Sequence, residues 1–152
     1  MRRPSFLSLA LLAGITTGVR AQQPASAPAT TPMSAPMSMK MSDIAGTWDA
    51  KTMMGPKDSV VVTEVLTMTA DGKAWTMAFP GRADAVPVKV VSMGGDSVVT
   101  DAGPYASALR AGQMVTVHMV AHYKGDSMWG TATATYSSGD KATLKMAATR
   151  RK

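Results

Sequence analysis

Residues 112–149 read GQMVTVHMVAHYKGDSMWGTATATYSSGDKATLKMAAT. Successive side chains of an extended chain point to opposite faces, so Val115, Val117, Met119, Ala121 and Tyr123 form one apolar row. Thr116, His118 and His122 fall on the other side. Gly125-Asp126 and Gly139-Asp140 interrupt the alternation with residues that suit tight hairpin turns. The stretch therefore predicts three consecutive strands, 112–123, 127–136 and 141–149. Connections this short join antiparallel neighbours, because a parallel pair needs a crossover of a dozen or more residues. The faces of the middle strand stay open, since Met128, Ala132, Ala134 and Tyr136 compete with Trp129 and three threonines.

Upstream the same pattern continues. Asp71-Gly72 and Gly94-Gly95-Asp96 punctuate alternating runs, and strands are predicted at 44–53, 58–69, 73–79, 85–93 and 96–101. Trp75, Met77 and Phe79 share a face, as do Val86, Val88 and Val90. The single long connection, 102–111, contains a helix-compatible run from Ser107 to Ala111. No 3.6-residue period persists elsewhere for a substantial helix. The fold class is all-β, an eight-stranded antiparallel up-and-down meander. A twisted meander of this size tends to close into a barrel, which leaves no strand edge to template aggregation.

The first 21 residues are expected to lie outside the fold. Arg2 and Arg3 form a positive start, Phe6 to Ile15 an apolar run of ten, and Val19-Arg20-Ala21 a small-x-small cleavage site, together an export signal. Ten apolar residues are too few to span a bilayer, which takes ~20, so the mature chain is expected to be soluble and periplasmic or secreted. The paired arginines fit both the general secretory and the twin-arginine routes. Residues 22–42, with Pro24, Pro28, Pro32 and Pro36 at every fourth position, read as a disordered tether. The folded domain is then expected at 43–152, about 110 residues and one domain by size.

Composition narrows the function. There is no cysteine, which removes disulfides, a thiol nucleophile and a lipid-anchored cysteine. With 16 basic and 10 acidic residues, loss of Arg2, Arg3 and Arg20 leaves a net charge of +3. The lysines are scattered and not interleaved with aromatics, so nucleic-acid binding is not expected. No serine motif with a nearby His and acid, zinc-type His spacing on a helix or glycine-rich phosphate loop is present. The protein is expected to be non-catalytic, with no cofactor.

Gly46-Thr47-Trp48 on the first strand resembles the Gly-x-Trp opening of lipocalins and other calycins, the avidin group included. The resemblance covers these three residues and the meander. The later lipocalin motifs and C-terminal helix are not visible. It implies a barrel whose end is plugged by Trp48, with Arg150 from the last strand packed over the indole, and an interior that is either filled or holds one small ligand.

Four residues are candidate ligand contacts: Glu64, Trp75, Tyr105 and Arg110. If Val60, Val62, Leu66 and Met68 face inward, so does Glu64, and a buried carboxylate must be paired, neutralised or used. The alternatives are a bulge that turns it outward, or a core built on Val61 and Val65. Tyr105 and Arg110 sit in the long connection, either presenting an aromatic and a cation at a barrel mouth or capping it. The function these residues suggest is binding of a small apolar or amphipathic molecule. A second reading rests on Met33, Met37, Met39 and Met41, soft thioethers suited to copper(I). His118 and His122 lie roughly 13 Å apart by strand rise, too far to chelate one ion together, so no metal site is assigned. A third reading is a structural or interaction module of the cell envelope.

Overall fold

The protein is described by a computed structural model over residues 38–152. The expected export signal and all but the last residues of the tether lie outside the described residues. A short helix, α1 (Met41–Ile44), precedes eight strands: β1 (Gly46–Met54), β2 (Ser59–Met68), β3 (Trp75–Ala78), β4 (Val86–Gly94), β5 (Ser97–Ala106), β6 (Met114–Lys124), β7 (Ser127–Tyr136) and β8 (Lys141–Arg150). They pair in chain order, all antiparallel, and β8 returns to β1 to close a barrel. The predicted all-β meander is thus the observed fold.

Two elements depart from the reading of the sequence. The strand expected at 73–79 shortens to β3, because the preceding loop satisfies itself through side chains. Thr69 Oγ1 donates to Asp71 Oδ1 at 2.6 Å, the Lys73 amide donates to the same oxygen at 3.0 Å, and the Ala74 amide donates to Thr69 Oγ1 at 3.1 Å. Such local bonds compete with a sheet ladder. The long connection begins later than expected, since residues 102–106 extend β5, with Ala102 opposite Val117 and Tyr105 opposite Val115 across a register shift. Ser107–Ala111 forms bends and a turn where a helical turn was expected. The Ser107 hydroxyl accepts from the Leu109 and Arg110 amides at 3.1 and 3.0 Å and holds that loop.

One end of the barrel is plugged. Trp48 and Ile44 are fully buried there with Val98 and Met128. Trp48 Nε1 donates to the Ile44 carbonyl at 2.9 Å, and Tyr123 meets the indole edge-on at 5.9 Å. Arg150 lies 4.3 Å over the Trp48 ring, as the Gly-x-Trp resemblance implied, and donates to the carbonyls of Ala45 and Asp43. The packed unit begins before Asp43: Met39 is buried, its amide donates to the Gly95 carbonyl at 2.8 Å, and Met41 packs partly against the core. Thioethers supply the flexible apolar volume that closes this end.

The face assignments follow the alternation. Trp75, Met77, Phe79 and Val86 are buried. The open question in β7 is settled by register: Met128, Ala132, Ala134 and Tyr136 turn inward, and Trp129 turns out to stack on His122, which it pairs with across the ladder. Charged residues such as Asp49, Lys51, Lys89, Asp101 and Lys145 occupy the outer surface, away from the apolar core. Among the described residues no helix is long and apolar enough to cross a membrane.

Candidate functional site

The buried residues fall into two clusters, one around Trp48 and Trp75 and a smaller one of Val115, Ala132, Ala134, Tyr136 and Leu144. Between them lies a cavity of about 70 Å³. Its cause is an asymmetry of side-chain size. β2 and β3 contribute Leu66, Met68, Trp75 and Met77, whereas β7 faces them with Ala132 and Ala134. Ser107, Ala108 and Leu109 border the cavity at the end away from the Trp48 plug. A void of ~150 Å³ is what a benzene-sized guest occupies, and drug-sized ligands take ~300 Å³ or more. This interior suits a guest of only a few non-hydrogen atoms, unless side chains move.

Glu64 faces the cavity. A bulge is present but does not turn Glu64 outward. Thr52 pairs with Val62 and Met53 with Val60, so the extra residue is Val61 of β2. That leaves Val60 exposed against the expected inward row and keeps Glu64, 7 % exposed, beside buried Leu66 and Met68, so a core on Val61 and Val65 is overturned. Thr52 Oγ1 donates to Glu64 Oε1 at 2.9 Å. Glu64 Oε2 has no hydrogen-bond partner among the described residues. Because no fully buried side-chain oxygen there lacks one, this oxygen opens onto the cavity. Burial pushes the carboxyl above the usual carboxylate range, and the Thr52 hydrogen bond only partly offsets that.

Tyr105 lines the same space, half-buried, its ring 5.6 Å from that of Phe79. Desolvation first, then the charge of Glu64, pushes its hydroxyl up to about 12, so it remains an O–H donor at neutral pH. Trp75 also lines the cavity, with its Nε1 turned away to donate to the Thr69 carbonyl at 2.9 Å, which leaves the ring itself to the interior. Arg110 stands apart from the other three. It does not line the cavity; its guanidinium lies 4.1 Å over the Tyr136 ring and pairs with Asp140 at 2.7 Å, so it caps the rim from outside.

Reading the sequence missed Thr52, Phe79, Tyr136 and the two alanines of β7 as parts of the site. The pairing of Thr52 with Glu64 needed the register of the β1–β2 hairpin, which sets Thr52 opposite Val62 and one inward position from Glu64. The histidines on the outer face are each taken by a cross-strand acid, His118 by Asp101 at 2.7 Å and His122 by Asp96 at 3.3 Å. Met39 and Met41 are used in packing; Met33 and Met37 lie outside the described residues.

The buried carboxyl has a consequence for stability. Below the ordinary carboxylate range, about pH 4, both folded and unfolded chains hold the Glu64 proton. As pH rises the unfolded chain releases it first while the folded chain retains it, so stability falls across the interval up to the raised folded value. Glu64→Gln removes that penalty. Calorimetry should show Glu64→Gln melting above the parent at pH 8, the gap closing by about pH 4. A gap that is constant with pH, or of opposite sign at pH 8, contradicts a buried ionisable Glu64.

These features define a closed eight-stranded barrel, plugged at one end, with a small, mostly apolar interior and one buried carboxyl. No protein-family model matches the chain, and neither a curated protein nor a solved structure does.

Proposed function

We propose that the chain is a non-catalytic, exported binding protein of lipocalin-like design that takes a small apolar or amphipathic molecule into the barrel. The observation that carries this reading is the cavity itself: a packed barrel of this size needs none, and empty space lined by apolar groups forfeits dispersion contacts. The export half of the reading rests on Arg2-Arg3, the apolar run from Phe6 to Ile15 and Val19-Arg20-Ala21. The lipocalin-like half is supported by Gly46-Thr47-Trp48, the plugged end and Arg150 over the indole.

Native mass spectrometry of the chain purified without denaturation from the cells that make it tests the proposal. The expected result is a low-mass organic adduct that is released on unfolding. In Ala132→Leu, whose three added carbons enter the cavity, the adduct is lost at a stability cost of about 1–3 kcal/mol. An adduct retained in Ala132→Leu, or a copper adduct held by Met33 and Met37, overturns it.

A further inference from the structure

We infer that the molecule bound in the barrel is a small organic ammonium, its nitrogen against Glu64 and its carbon skeleton along the aromatic wall. The inference rests on the binding role proposed above and names the ligand class. Glu64 is the one charged group among the cavity-lining residues; no Lys, Arg or His accompanies it. Two basic groups stand at this rim and both are engaged outside the cavity: Arg82 is exposed and donates to the Ala106 carbonyl at 2.6 Å, with its guanidinium 5.0 Å from the Phe79 ring, and Arg110 pairs with Asp140. A carboxylate or phosphate guest would therefore meet an uncompensated negative charge in a low-dielectric site.

A neutral alcohol can donate one hydrogen bond to Glu64 Oε2. An ammonium adds to its hydrogen bond the attraction of opposite charges, which is much stronger in a low-dielectric interior than in water and which an alcohol lacks. It also offsets part of the desolvation penalty that Glu64 carries alone, because an isolated buried charge is costlier than a paired one. The rest of the lining suits the same guest. Trp75, Phe79, Tyr105 and Tyr136 put four aromatic rings around a site that otherwise offers few polar groups, and the faces of such rings attract cations. At about 70 Å³ the space favours a short alkyl chain over a lipid.

The test uses three probes of equal length, n-butylamine, n-butanol and butyrate, titrated at pH 7.5 into the full chain carrying labelled methionine methyls. Met77, Met119 and Met146 line the cavity and report occupancy. Butylamine should shift these methyls and bind at least tenfold more tightly than butanol, and butyrate should leave them unmoved. Glu64→Gln should weaken butylamine at least tenfold while butanol stays within twofold. Should butanol or butyrate match butylamine, or Glu64→Gln leave butylamine unchanged, the ammonium assignment is lost and the binding role stands. Silence of the cavity methyls toward all three probes also overturns the ammonium assignment, and the binding role is then decided by the native-mass adduct.

Discussion

Trp48→Ala is expected to lower the unfolding free energy by about 3–5 kcal/mol, the range for emptying a buried aromatic site. At roughly 4 °C per kcal/mol for a domain of this size, the melting temperature should fall by roughly 10–20 °C. Trp48 is fully buried, and its loss opens a hole between Ile44, Val98 and Met128 that backbone ladders on both sides prevent from collapsing. It also strips Ile44 of the indole N–H donor and leaves Arg150 without the ring it covers. Trp48→Phe separates these contributions. It keeps most of the buried area and loses the hydrogen bond, so a cost of about 1 kcal/mol beyond the area change is expected. Urea unfolding of the three proteins measures both. If Trp48→Ala lies within 1 kcal/mol of the parent, the indole is not the plug that closes this end.

Gly130→Ala is the second large effect, about 3 kcal/mol destabilising. A methyl group is ordinarily a mild addition to a strand, but β6 passes Gly130 so closely that a Cβ would collide with the Val120 carbonyl oxygen and stand 2.7 Å from Ala121 Cα. These are backbone atoms of a paired strand, with Gly130 directly opposite Ala121, so they cannot rotate away as a side chain would. The cost is therefore set at the upper end of overpacking. Gly125→Ala supplies the contrast. Gly125 has φ +61° and no atom within 4 Å of the place a methyl group would take, so only backbone strain of about 1 kcal/mol applies. Denaturant midpoints should separate the two variants, and amide exchange should accelerate along β6 and β7 in Gly130→Ala alone. Equal midpoints would mean that the close approach of β6 and β7 relaxes freely.

The barrel was legible because its signal is local. Alternation in residues 115–119 and Gly-Asp turns at 125–126 and 139–140 dictate short antiparallel returns, and most predicted strand limits fall within two residues of those observed. What escaped were the places where side chains or register override that pattern. Thr69 and Asp71 bind the backbone that would have lengthened β3. Tyr105 reads as loop because Gly103-Pro104 looks like an interruption, yet the ladder with β6 resumes beyond it at Tyr105 and Val115. Met39 reads as low-complexity tether and is instead core, since nothing in its neighbours announces that the Gly95 carbonyl awaits its amide.

The site was legible only in part, and for one reason. Glu64 stands out in the sequence as the wrong residue for its row, and Trp75 belongs to an unmistakable apolar face; both are properties of a single strand. Arg110 was placed at the mouth by proximity along the chain, whereas Asp140 and the ring of Tyr136, thirty and twenty-six positions away, hold it outside. Alternation within each segment thus determined the meander, its turns and most inward rows, because period-two patterning needs no knowledge of neighbours. Whether space remains inside, and which polar oxygen borders it, depended on the large side chains of β2 and β3 facing the alanines of β7 across the interior. Volume left between distant strands is a sum over residues that meet only when the barrel closes, so it was decided by the tertiary structure alone.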